Sequence, residues 1–202
     1  MKNTYYERYN VICNELNDLM KETADGAKKL KGAIAVELLK ELIDDFFQKS
    51  NIKYKTSNPN SYIAGSKYEY DLLIVTEYAK PFMGMVYKAE DVIAIIESKV
   101  WGLFDLAKET DSIAIAVNSA IKLSKNICFG YITISENVPV NDRYRGKPTI
   151  KYWEKTEEYL KEKINGNCVL YAVTLRKGKS LCDEGSDEEF FGFVNHLIYS
   201  GE

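Results

Sequence analysis

A chain of 202 residues is long enough to bury a full hydrophobic core, and a balance of 46% hydrophobic to 28% charged residues excludes intrinsic disorder. No stretch reaches the roughly 20 apolar residues of a membrane helix, and Met1 to Tyr9 is charged and tyrosine-rich where a signal peptide turns apolar, so a cytoplasmic protein without a membrane partner is expected. The net charge of −3 excludes a global positive field, so any grip on nucleic acid must come from a local basic surface.

The first predicted helix covers 4–22, where Ile12, Leu16, Leu19 and Met20 recur at helical intervals and Asn3 or Thr4 can cap the start. Ala24-Asp25-Gly26 reads as a break. Beyond it, Ile34, Leu38, Leu39, Leu42, Ile43, Phe46 and Phe47 define an amphipathic helix ending near Lys49. Short extended segments at 52–56 and 61–64 precede a strand rich in β-formers from Tyr70 to Thr76. A second strand spans Asp91 to Lys99, with Met85 to Tyr87 extending it backwards, and the connection carries Pro81 and Gly84. Together these strands form an antiparallel hairpin with a decorated loop. An alanine-rich amphipathic helix, Phe104 to Leu123, then feeds a buried strand from Ile127 to Ser135. After the polar loop Glu136 to Pro148 come a helix from Ile150 to Ile164, a strand from Cys168 to Leu175 and a short amphipathic segment from Asp187 to Ile198. With no internal repeat or linker, the chain is expected to be a single α/β domain over 1–202, an αβββαβ core at about 32–135 followed by an αβα extension at 136–202.

Cys13, Cys128, Cys168 and Cys182 are scattered without a CxxC pair, and His196 is the sole histidine, so neither a zinc site nor a disulfide framework is expected. Trp101, Phe104, Trp153, Phe190, Phe191 and Phe193 read as packing residues, and His196 as a residue that packs or bonds locally.

Charge in the strands is harder to account for by packing. Glu97 and Lys99 close the run Val92-Ile93-Ala94-Ile95-Ile96, and the period of two puts both on the sheet face of Ile95. Asp71 opens the preceding apolar strand. If the two strands pair antiparallel in a register centred on Gly84, Asp71 stands opposite Glu97. Opposed carboxylates destabilise a sheet unless positive charge lies between them, which Lys99 and a divalent cation would provide.

Tyr70-Asp71 followed by Ile96-Glu97-Ser98-Lys99 resembles the PD-(D/E)XK signature of restriction-endonuclease-like nucleases, with Tyr70 where the name-giving proline stands. Lys31-Gly32 and Glu37-Leu38-Leu39 upstream resemble the first-helix motif of that superfamily, in particular its Holliday-junction-resolvase-like branch. The resemblance covers about Gly32 to Ser135. It implies a mixed central sheet flanked by helices and a magnesium-dependent DNA nuclease, with manganese as a substitute metal and a role in restriction, repair or phage defence.

Residue by residue, the resemblance implies that Asp71, Glu97 and the backbone carbonyl of Ser98 bind the metal. It further implies that Lys99 acts on the attacking water and that Glu37 reaches in from the helix to a metal-bound water or second cation, although an exposed helix glutamate is the alternative for Glu37. For nucleic-acid binding the candidates are Arg143, Tyr144, Arg145 and Lys147, where guanidinium groups suit phosphate and a ring can stack on a base, with Lys28, Lys29 and Lys31 as a weaker set. A plain solvated loop is the competing reading. DNA is the expected partner, with a homodimer or a partner protein of a defence or repair system also compatible. The competing function is a nuclease-fold binding or regulatory module without turnover, which has no need of a repelling carboxylate pair.

Overall fold

The computed structural model describes residues 4–19, 24–100, 106–133, 149–172 and 187–199. Helix α1 (Thr4–Leu19) is capped from far along the chain, because Asp187 accepts hydrogen bonds from the Thr4 amide at 2.7 Å and its hydroxyl at 2.8 Å. Helix α2 (Ala24–Lys49) already includes the expected break, since Ala24, Asp25 and Gly26 form its first turn. First-turn amides have no partner within a helix, and glycine there costs less than in the interior. Along α2, Leu38, Leu39, Leu42, Ile43 and Phe47 form the buried face. Asp44 on the same helix accepts from the Thr56 amide and hydroxyl, both at 2.8 Å, and so ties α2 to the first strand, β1 (Tyr54–Thr56).

The chain then builds β2 (Ser61–Ile63), β3 (Glu69–Tyr70), β4 (Leu72–Thr76), β5 (Val86–Tyr87), a 3-10 turn (Ala89–Asp91) and β6 (Val92–Lys99). Two expectations are corrected here. The strand read from Tyr70 to Thr76 is split at Asp71: Glu69 and Tyr70 belong to a small sheet ordered β3-β2-β5, while Leu72 onward belongs to the central sheet. The backward extension of β6 through Met85 to Tyr87 does not form. Val86 and Tyr87 instead pair in parallel with Tyr62 and Ile63, and the 3-10 turn separates them from β6. Asp71 thus occupies the joint between the two sheets.

Helix α3 (Leu106–Ile121) leads to β7 (Cys128–Thr133), α4 (Thr149–Lys163), β8 (Cys168–Ala172) and α5 (Asp187–Tyr199). The central sheet has the order β1-β4-β6-β7-β8, antiparallel through β6 and parallel from β6 to β8. It is a mixed sheet flanked by helices, as expected. One face (Leu72, Ile74, Ala94, Ile96, Ile132) packs on α1, α2 and α5; the other (Leu73, Val75, Ile95, Phe129, Tyr131) packs on α3 and α4. All six β7 residues are buried, as a strand covered on both faces requires. The C-terminal elements are built into this core, β8 as the fifth strand and α5 as a helix over the first face. Phe190 and Phe193 are buried there and Phe191 is half-buried, in keeping with packing roles. Trp101 and Phe104 lie outside the described residues, as does the side chain of Trp153.

Gly130 permits that last packing. A Cβ at this position would stand 2.9 Å from Leu197 Cδ2 and 3.0 Å from the tip of Phe193, both buried. Gly130→Ala is therefore expected to destabilise the fold by about 1–3 kcal/mol through overpacking, read as a lower midpoint in urea denaturation with an unchanged slope.

Cys13, Cys128 and Cys168 form no disulfide among the described residues, and Cys182 lies outside them. Burial pushes the Cys168 thiol up to about 12, which leaves it protonated and inert. No described helix is long and apolar enough to cross a membrane. His196 is exposed on α5.

Candidate active site

The pairing of β4 with β6 matches Leu72 to Ile96, Leu73 to Ile95 and Ile74 to Ala94, the register centred on Gly84. Continued one step beyond the last ladder pair, this register sets Asp71 against Glu97. A bulge between Ile74 and Val75 shifts the register at the opposite end of the ladder and leaves the Asp71 end undisturbed. Asp71 Oδ2 accepts a 2.8 Å hydrogen bond from the Ser98 amide, which locks the carboxylate against the end of β6. Lys99 Nζ donates to Glu97 Oε1 and lies 3.8 Å from Asp71 Oδ2, so one ammonium serves both carboxylates. On the other side of β6, Glu97 and Lys99 are paired in register with Tyr131 and Thr133, which are 1% and 0% exposed. The cluster is closed by β7 on that flank, yet the Lys99 side chain keeps 36% exposure, enough for a substrate to reach it.

Tyr5 supports the same strand end from below. Its hydroxyl donates to the Ala35 carbonyl at 3.0 Å, which links α1 to α2, and lies near Ser98 of β6. Burial raises this phenol above its ordinary range, so it remains a neutral donor.

Electrostatics mark the cluster as under-compensated. Burial holds the Glu97 carboxyl above its ordinary range; Lys99 offsets this and Asp71 adds to it. For Lys99 burial is the largest single influence and acts downward, but Glu97, Asp71 and Glu109 together outweigh it and hold the ammonium above its ordinary range. Among the described residues, two facing carboxylates against one ammonium leave a deficit of positive charge. The oxygen donors of Asp71, Glu97 and the Ser98 backbone suit a hard divalent cation. Among the described residues no three His, Cys, Asp or Glu side chains form a metal cage of their own. A cation here would take its remaining ligands from water and substrate oxygens.

Of the residues expected in the site, the fold assembles Asp71, Glu97, Ser98 and Lys99. Glu37 is exposed on α2, and among the described residues no hydrogen bond or ion pair of Asp71, Glu97 or Lys99 reaches it. Arg143, Tyr144, Arg145 and Lys147 lie outside the described residues, as do the side chains of Lys28 and Lys29; Lys31 is half-buried on α2. Glu109 was missed by sequence reasoning. Its one sequence signal is its place a helical turn before Ile113 on the apolar face of α3.

No family model matches the chain, and no curated protein matches its sequence. Solved structures do resemble its fold. The P. aeruginosa ATCC27853 NucC in a cAAA-bound form superposes with a TM-score of 0.56 at 12% identity, covering 100% of this chain and 91% of that one. The E. coli MS115-1 NucC, also cAAA-bound, gives 0.56 at 13% identity with the same coverage. The fold is NucC-like. At this identity the likeness concerns the fold alone, and the chemistry must be argued from Asp71, Glu97 and Lys99.

Proposed function

We propose that this chain is a metal-dependent nuclease hydrolysing phosphodiester bonds of DNA, with Asp71, Glu97 and Lys99 at its reacting centre. The observation that carries this reading is the single Lys99 ammonium held between two opposed carboxylates at an accessible strand end. A module that only binds nucleic acid gains nothing from carboxylates facing a polyanion. The NucC-like fold is compatible with the reading, and a place in restriction, repair or phage defence, which the motif resemblance implies, is part of the proposal.

Magnesium, or manganese in its place, would be held by Asp71, Glu97 and the Ser98 carbonyl, and would supply Lewis-acid charge and a more acidic water. The chain's own residues supply the geometry. Asp71, fixed by the Ser98 amide, keeps the ends of β4 and β6 together. Lys99 projects from the same strand face as Glu97, where its ammonium orients the attacking water and stabilises negative charge growing on the phosphate. Buried Tyr131 and Thr133 exclude bulk water along the β7 flank.

The test is incubation of the full chain with supercoiled, linear and single-stranded DNA and with RNA, with magnesium or manganese. Each arm is run with and without cAAA, the compound held by both NucC structures. DNA cleavage that chelation abolishes is the expected result. No cleavage of any substrate in any arm overturns the proposal. Acidity gives a further check. Because the Glu97 carboxyl sits above the ordinary glutamate value of 4.5, it takes up its proton earlier as the pH falls. A cation can be taken up only once that proton has left, so magnesium affinity, read as the rise in Tm on adding magnesium, should be present above that raised value and lost as the pH falls through it, at a pH above 4.5.

A further inference from the structure

Strands β6 and β7 are parallel neighbours, so α3 must run back from the Lys99 end of β6 toward the start of β7. Its first turns therefore lie nearest the strand end that carries the site. Ile113 packs in the same cluster as Ile95. From that shared cluster, one turn back along α3 leads to Glu109, just as the next residues on the same face of β6 are Glu97 and Lys99. One oxygen of Glu109, Oε2, is buried with no hydrogen-bond partner among the described residues, an arrangement that costs stability unless something else uses it. Glu109 is also one of the charges acting on Lys99.

As the chain stands, the Lys99 ammonium is occupied by Glu97 and Asp71. A divalent cation drawing on those same carboxylates would compete with Lys99 for them. We propose that Glu109 is a positioning residue, a reserve counter-ion that takes the Lys99 ammonium when Asp71 and Glu97 turn to a cation and keeps it beside the phosphate. This rests on the function proposed above.

The test is a magnesium titration of the full chain followed by thermal unfolding, for the wild type, Glu109→Gln, Lys99→Ala and the double variant, with DNA cleavage measured in parallel. Glu109→Gln should need about fivefold more magnesium for the same rise in Tm and lose kcat with KM unchanged. In the Lys99→Ala background the same change should alter the magnesium requirement by less than about twofold, since the residue it acts through is gone. Glu109→Asp, which keeps the charge, should fall between wild type and Glu109→Gln and serves if the glutamine variant does not fold. An equal loss in both backgrounds would make Glu109 a direct cation ligand and overturn the positioning role. An unchanged magnesium requirement in Glu109→Gln would overturn the inference while leaving the nuclease reading intact. A wild-type chain indifferent to magnesium and manganese would remove the metal reading and this inference together.

Discussion

Lys99→Ala is expected to lower kcat for DNA cleavage by about 10³-fold while strengthening the response to magnesium. The loss of rate follows from removing the one cationic side chain that, among the described residues, stands beside both carboxylates. The second effect follows from the same geometry. Without the ammonium, Asp71 and Glu97 face each other unscreened, so the metal-free protein loses stability and a divalent cation gains a site with no resident competitor. Thermal unfolding with and without magnesium measures this directly, and Lys99→Ala should show a larger rise in Tm than the wild type. A contaminating nuclease cannot produce that pairing of lost activity with a larger metal response. Unchanged cleavage would place the chemistry elsewhere.

Asp71 allows a sharper separation of folding from chemistry. Its Oδ2 accepts the Ser98 amide at 2.8 Å, and an asparagine oxygen can accept the same bond. Asp71→Asn should therefore stay within about 1 kcal/mol of wild-type stability and still lose about 10³-fold in activity, because the charge has gone while the hydrogen bond remains. Asp71→Ala removes both. It leaves the Ser98 amide without its partner and should cost about 1–2 kcal/mol in chemical denaturation in addition to the lost activity. Equal stability losses in the two variants would show that the Asp71 charge, rather than its hydrogen bond, holds the strand end.

What could be read from the sequence depended on distance along the chain. The pairing of Asp71 with Glu97 was legible because strand alternation and a turn centred on Gly84 are local facts, and the structure has that register. The fate of Met85 to Tyr87 was not. A short apolar run beside a strand looks like more of the same strand, and only β2, held in place by Asp71's own neighbours, draws Val86 and Tyr87 into another sheet. The cap of α1 was equally hidden, since Thr4 finds its acceptor on Asp187. Parallel pairing of β8 with β7 carries no turn signal, so the C-terminal elements read as an appendage although they complete the core. Glu37 stood out as part of a motif, but its position on the exposed face of α2 is a tertiary fact. Glu109 shows the reverse: it belongs to no motif, and the phase of α3 against the sheet brings it toward Lys99.

The bulge between Ile74 and Val75 also has a bearing on how this chain can be altered. It absorbs a one-residue mismatch at the far end of the β4–β6 ladder, so the length of the stretch after Thr76 and the alignment of Asp71 with Glu97 are set separately. Tyr78, Phe82 and Met83 in that stretch are exposed at 82%, 74% and 80%. A segment grafted there, such as a sequence-reading module, would ride on the rim of the domain without retuning the carboxylate pair. The separation between the two acids is accordingly a quantity free to drift, and relatives of this chain are better sought by strand register than by residue spacing.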